Sequence, residues 1–144
     1  MIKVETKKIE ELEKNIGYTF NNKKLLQNAL THTSYAYEHG IQSNEKLEFL
    51  GDSILEFVSS EYMYNKYLNL KEGQLTKVRA TVVCEKSLYK VATAHNFGEF
   101  LYLGKSEIKS GGSKRPAILA DSEKEVIAAI FIDGGLEPAK KFII

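Results

Sequence analysis

The sequence predicts an all-α fold. Three observations predict it. Ile9, Leu12 and Ile16 recur at i, i+3 and i+7, the spacing of one helical face. Residues 45–68 carry an apolar stripe on one helical face and acids on the other. Helix stop signals, Gly17 and the run Asp133-Gly134-Gly135, fall where such patterns end.

In chain order, the first helix is expected over residues 5–16, with Gly17 as its stop. Asn21 and Asn22 precede a short helix over 23–31, whose core face is Leu25, Leu26, Ala29 and Leu30. His39-Gly40 reads as a loop. The longest helix is expected over 45–68, with Asn44 as N-cap and Glu45 at the positive end of the dipole. Glu72-Gly73 ends that region, and 74–94 is again helical, interrupted in propensity by Thr81-Val82-Val83. Residues 110–116, SGGSKRP, form a flexible basic loop. A helix over 117–132 follows, and Pro138 opens one more near its first turn. The sequence stops at Ile144 within an apolar pattern, which reads as part of a longer protein.

A length of 144 residues suits one domain, 1–144, that can bury a core without disulfide staples. Hydrophobic content of 43% and charged content of 27% disfavour disorder. A single cysteine, Cys84, excludes an internal disulfide and a multi-cysteine zinc site, and leans towards a reducing compartment. No apolar run approaches the roughly 18 residues of a membrane span. The charged start MIKVETKKIEELEK has no signal-peptide core. The expected location is the cytoplasm. A net charge of +1 is not that of a strongly basic nucleic-acid module, yet local patches matter more than the sum.

The chemistry concentrates in Asn44–Leu55, NEKLEFLGDSIL. Glu45, Glu48, Asp52 and Glu56 share one helical face. Leu47, Leu50, Ile54, Phe57 and Val58 share the opposite one. Carboxylates at i, i+3 and i+4 repel by a few tenths of a kcal/mol each. A solvated acidic face is one reading. A divalent cation held by the carboxylates is the other, since Mg²⁺ prefers oxygen ligands. Gly51 costs roughly 1 kcal/mol against alanine in a helix, so something is expected to approach the backbone there. Asp121, on a distant helix, completes a carboxylate cluster with Glu48 and Asp52 if the two helices pack side by side.

These residues resemble a known family. NEKLEFLGDS at 44–53 is similar to the signature of the ribonuclease III endonuclease domain. Leu30-Thr31-His32-Thr33-Ser34-Tyr35, Glu72-Gly73-Gln74-Leu75-Thr76 with Arg79-Ala80, and Ile118-Leu119-Ala120-Asp121 with 127–135 resemble its other segments in order. The resemblance implies a dimeric all-α endonuclease domain. Two metal-dependent sites across one groove would each cut one strand of double-stranded RNA. It assigns metal binding to Glu48, Asp52 and Asp121, with Mg²⁺ as cofactor and Mn²⁺ as substitute. It assigns catalytic roles to Asp52, Glu45 and Glu72. Lys105, Lys109, Lys114 and Arg115 are candidates for RNA phosphate contacts. In the family a double-stranded-RNA-binding module follows, so the expectation is a catalytic domain cut short before it.

The family's fourth metal ligand is a glutamate three residues after the aspartate of L-A-D, and Lys124 stands there. The interval from Asp52 to Asp121 fits the family without a gap. A Lys124 ammonium is expected to take the space of a metal ion and pair with the carboxylates, impairing the site. Glu125 reaches a metal only after a local shift. Glu123 points away, interrupting the apolar stripe Leu119, Val126 and Ile130, where a buried unpaired carboxylate is costly. The alternative function is a non-catalytic RNA- or partner-binding domain on the same fold.

His32, His39 and His95 form no metal-ligand pair. His32 reads as a hydrogen-bonded structural histidine. Packing is expected for Tyr62, Tyr64 and Tyr67. Phe49, apolar on the acidic side of its helix, is expected at a dimer interface.

Overall fold

The computed structural model describes the backbone of residues 2–144 and the side chains of residues 7–144. Nine α-helices follow one another among the described residues. They are α1 (Ile2–Ile16), α2 (Lys23–Ala29), α3 (Thr33–His39), α4 (Glu45–Lys66), α5 (Glu72–Val83), α6 (Glu85–Ala94), α7 (Lys105–Lys109), α8 (Pro116–Gly134) and α9 (Leu136–Ile143). The only extended pairing among the described residues is an isolated bridge between Thr31 and Tyr102. The all-α prediction holds.

The organising element is α8. From Leu119 to Ile130 it is buried almost all round, and such a helix belongs inside a bundle. Around it pack α4, α6, α2 and α9. Leu47, Ile54 and Val58 of α4, Leu88 and Ala92 of α6, and Leu26 and Ala29 of α2 meet Val126–Ile130 in one core. Pro116 occupies the first turn of α8, where a missing N–H costs nothing. Gly135, at φ 91°, ends the helix in a conformation that favours glycine.

Several boundaries differ from the sequence reading, each for a local reason. His39 closes helix α3 and is not in a loop; Gly40 follows it in the left-handed region at φ 63°. This helix starts at the hydrogen-bonded His32 that the sequence suggests. Its Nδ1 accepts from the Ser34 amide at 3.1 Å, and the Ser34 hydroxyl in turn accepts from the Gly104 amide at 2.8 Å. Helix α4 stops at Lys66, and Glu72 opens α5 instead of ending the helical region. The span 74–94 is two helices. It breaks at Cys84, which is extended at φ −72° and ψ 160°, directly after the β-branched Thr81-Val82-Val83. Asn44 holds the N-cap position but does not cap. Its side-chain amide donates instead to the Ala29 carbonyl at 3.0 Å, tying the start of α4 to α2.

The apolar stripe of α4 is narrower than expected. Leu47, Ile54 and Val58 are buried, but Phe57 is exposed. Tyr62 and Tyr64 are also exposed and do not fill the core; the Lys66 ammonium lies over the Tyr62 and Tyr67 rings.

Candidate active site

Helices α4 and α8 cross at Gly51. A Cβ there would overlap the carbonyl group of Lys124, so only glycine permits the approach. This is what lies behind the helix-interior glycine. The crossing sets Glu48, one turn before Gly51, and Asp52, directly after it, against Asp121, Lys124 and Glu125.

The Lys124 Nζ lies 3.1 Å from the Asp52 Oδ1. Its side chain is 20% exposed, that of Asp52 53%. Asp121 is half-buried and pushed up to about 6: burial contributes most, the Glu48 charge next, and Lys124 opposes both. A further, smaller interaction with the Glu48 carboxylate also favours the protonated Asp121 carboxyl. Glu125, only 3% exposed, has one oxygen, Oε2, without a hydrogen-bond partner. Burial, then the charges of Asp121 and Glu48, push its carboxyl up to about 10. The acids therefore fall into two groups. Asp52 is paired with Lys124, while Glu48, Asp121 and Glu125 crowd one another.

In this conformation no three His, Cys, Asp or Glu side chains among the described residues converge on one ion-sized position. By chemistry the donor set nonetheless suits a hard divalent cation. All donors are carboxylate oxygens, one of them buried and orphaned, and a single ammonium stands against four acids.

The other candidate residues lie apart. Glu45 is exposed in the first turn of α4. Glu72 is exposed at the start of α5, on a cleft of about 550 Å³ with Ser60, Tyr64 and Arg79. Lys105, Lys109, Lys114 and Arg115 are all exposed around α7 and the turn after it. Arg115 is already engaged, donating to Glu107. Glu123 is buried as the helical wheel requires, but it is not unpaired. The His95 Nδ1 lies 2.6 Å from its Oε1, a partner that sequence spacing did not reveal.

The ribonuclease-III-like family model matches residues 22–144. The chain belongs to that family. Among curated proteins, this ribonuclease-III-like chain is 47% identical over 137 residues to Ribonuclease 3 of Listeria innocua, covering 93% of the chain and 60% of that protein. It is 49% identical over 139 residues to Ribonuclease 3 of Geobacillus thermodenitrificans, covering 94% of the chain and 56% of the relative. It thus spans less than two thirds of the relatives' length. Among solved structures, the nuclease domain of ribonuclease III from Campylobacter jejuni superposes with a TM-score of 0.88 at 42% identity. That match covers 93% of this chain and 92% of the other. No helix of the described residues is long and apolar enough to cross a membrane.

Proposed function

We propose that residues 1–144 form a metal-dependent endoribonuclease domain that hydrolyses phosphodiester bonds of double-stranded RNA. The observation that carries this reading is the Gly51 crossing, which gathers Glu48, Asp52, Asp121 and Glu125 in a chain of the ribonuclease-III-like family. Glu48, Asp52 and Asp121 hold the cation, Mg²⁺ by preference and Mn²⁺ as substitute. When bound, the cation supplies charge neutralisation and a water activated near neutral pH. Asp52, the most exposed of the three, faces solvent and hence substrate. Glu45 and Glu72 flank the scissile region from the starts of α4 and α5. The exposed Lys105, Lys109 and Lys114, with Arg115 once released from Glu107, neutralise backbone phosphates. Such contacts suit duplex RNA, which is read by shape, phosphate and 2′-OH.

The chain acts as a homodimer, and the exposed Phe49 supports that assembly. The Campylobacter jejuni structure is described as having a region involved in dimer formation. Access to RNA implies a cytoplasmic location.

The test is cleavage of a long double-stranded RNA at low salt, with Mg²⁺ and then Mn²⁺, by this chain and by Lys124→Glu. Both are expected to cut, the variant faster, and Asp121→Asn to abolish cutting. Intact RNA from both folded proteins with either ion would overturn the reading.

A further inference from the structure

Residues 110–116, expected as a flexible loop, are folded and fastened in the structure, together with α7 before them. The entry to this segment is tied to the start of α3. The Tyr102 amide donates to the Leu30 carbonyl at 2.9 Å, and the His32 amide donates to the Tyr102 carbonyl at 3.1 Å. The Gly104 amide donates to the Ser34 hydroxyl at 2.8 Å, and that hydroxyl also lies 2.7 Å from the His32 Nδ1. The Lys105 amide donates to Oε2 of Glu38 at 2.7 Å. The far end is closed by Arg115, whose guanidinium donates to Glu107 and lies 3.4 Å from the Ser110 carbonyl. Two glycines seat the middle. A Cβ at Gly112 would overlap Glu107, and one at Gly98 would overlap the Ser113 carbonyl. Lys105 and Lys109 share one face of α7 at i and i+4, and Lys114 ends the 3₁₀ turn Gly112–Lys114. All three lysines are exposed, and none forms an ion pair among the described residues.

Resting on the endonuclease reading above, we propose that Ser34, Glu38 and Arg115 are positioning residues that hold these lysines at fixed spacing, and that the fixed spacing favours duplex RNA over a single strand. An A-form duplex is recognised by its regular shape and backbone. A preset array of cations meets that shape with little further loss of freedom on binding. A single strand is flexible and follows a fixed array or a loose one, so it gains little from the fastening. Attraction of lysine for phosphate acts on both forms, because it depends on the number of charges neutralised. The fastening therefore adds discrimination without adding charge. Arg115 plays this part in the free protein, where its guanidinium shapes the loop before any phosphate reaches it.

The experiment pairs hydrogen exchange with RNA binding. Mass spectrometry follows amide exchange of residues 104–115 without RNA. Fluorescence anisotropy then gives the affinity for a duplex and for one of its strands, at low salt and with divalent ions chelated so that nothing is cut. Arg115→Lys keeps the charge but loses the planar fork. Glu38→Ala and Glu38→Gln carry the same net charge, and only the glutamine keeps an acceptor for the Lys105 amide. Arg115→Lys and Ser34→Ala, against the parent, and Glu38→Ala, against Glu38→Gln, should each speed exchange across the segment. Each should lower duplex affinity roughly fivefold to tenfold and move single-strand affinity less than about twofold. The salt dependence of binding should be unchanged in Arg115→Lys, because no charge is lost. Thermal melts check that every variant stays folded. Exchange that stays slow in all three, or a duplex preference that survives a loosened loop, would overturn the proposal. Cleavage of double-stranded RNA with Mg²⁺ separates the two readings. If the parent cuts but its variants keep their duplex preference, this inference falls and the function stands. If the parent neither cuts nor prefers the duplex, both fall.

Discussion

Glu123 and Glu125 are two carboxyl groups buried on one helix two residues apart, and they are handled in opposite ways. Burial raises the Glu123 carboxyl, and the His95 hydrogen bond at 2.6 Å draws it back down. His95→Ala should therefore destabilise the fold by about 1–3 kcal/mol, the cost of orphaning a buried acceptor. His95→Phe with Glu123→Leu should recover most of it, because apolar groups replace both partners. Urea melts of the parent, His95→Phe, Glu123→Leu and the double variant measure the coupling, and additive losses would refute it. Glu125 has no such partner. Its folded-state value, about 10, lies above the ordinary 4.5, so the folded protein keeps its proton while the unfolded chain loses it. Stability is fully present below about pH 4.5 and drains away as pH rises towards about 10. In chelator-treated samples, Glu125→Gln should flatten the decline in Tm between about pH 5 and pH 8. An equal decline in the variant would show that Glu125 is not the group responsible.

The crossing of α4 over α8 depends on Gly51 in a way that a methyl group can probe. Gly51→Ala has better helix propensity, worth about 1 kcal/mol in an exposed helix. Here its Cβ would collide with the Lys124 backbone, which cannot rotate aside as a side chain can. The variant should lose roughly 1–3 kcal/mol net by overpacking and should also weaken Mn²⁺ binding, because both helices carry ligands. A Gly51→Ala protein as stable as the parent in a urea melt would mean the helices are not in contact there. The same crossing explains how far the sequence alone could go. The periodicity of Asn44–Leu55 places Glu48 and Asp52 on one face, and the glycine signals a close approach, but neither names the partner helix. The unbroken reading of 74–94 failed because a β-branched trio lowers helix propensity without dictating a break; the extended Cys84 supplies it. Asn44 looked like an N-cap by type, yet tertiary packing gave its amide to Ala29. The Glu123–His95 contact joins residues 28 apart through the packing of α6 and α8, which no local spacing encodes.

One side of the molecule is left apolar by this arrangement. Burying one stripe of α4 against α8 turns Phe49, Phe57 and Tyr64 outwards, and Phe49 is 80% exposed. They recur at i, i+8 and i+15, within one broad arc of the helix, so they line one exposed side of it. A two-fold interface would let that side meet itself, placing two copies of the carboxylate cluster on one assembly. Phe49 contributes almost nothing to the protomer's own core, so replacing it should leave protomer stability nearly unchanged. Phe49→Glu should weaken self-association by roughly 30-fold or more, the loss typical of one aromatic anchor. Sedimentation velocity over a concentration series separates the two effects, with a thermal melt as the stability control. A parent that sediments as a monomer throughout would place the interface elsewhere. A variant as dimeric as the parent would show that Phe49 lies outside it. If the variant is monomeric and still binds Mn²⁺, the carboxylates at the Gly51 crossing hold the metal within a single protomer.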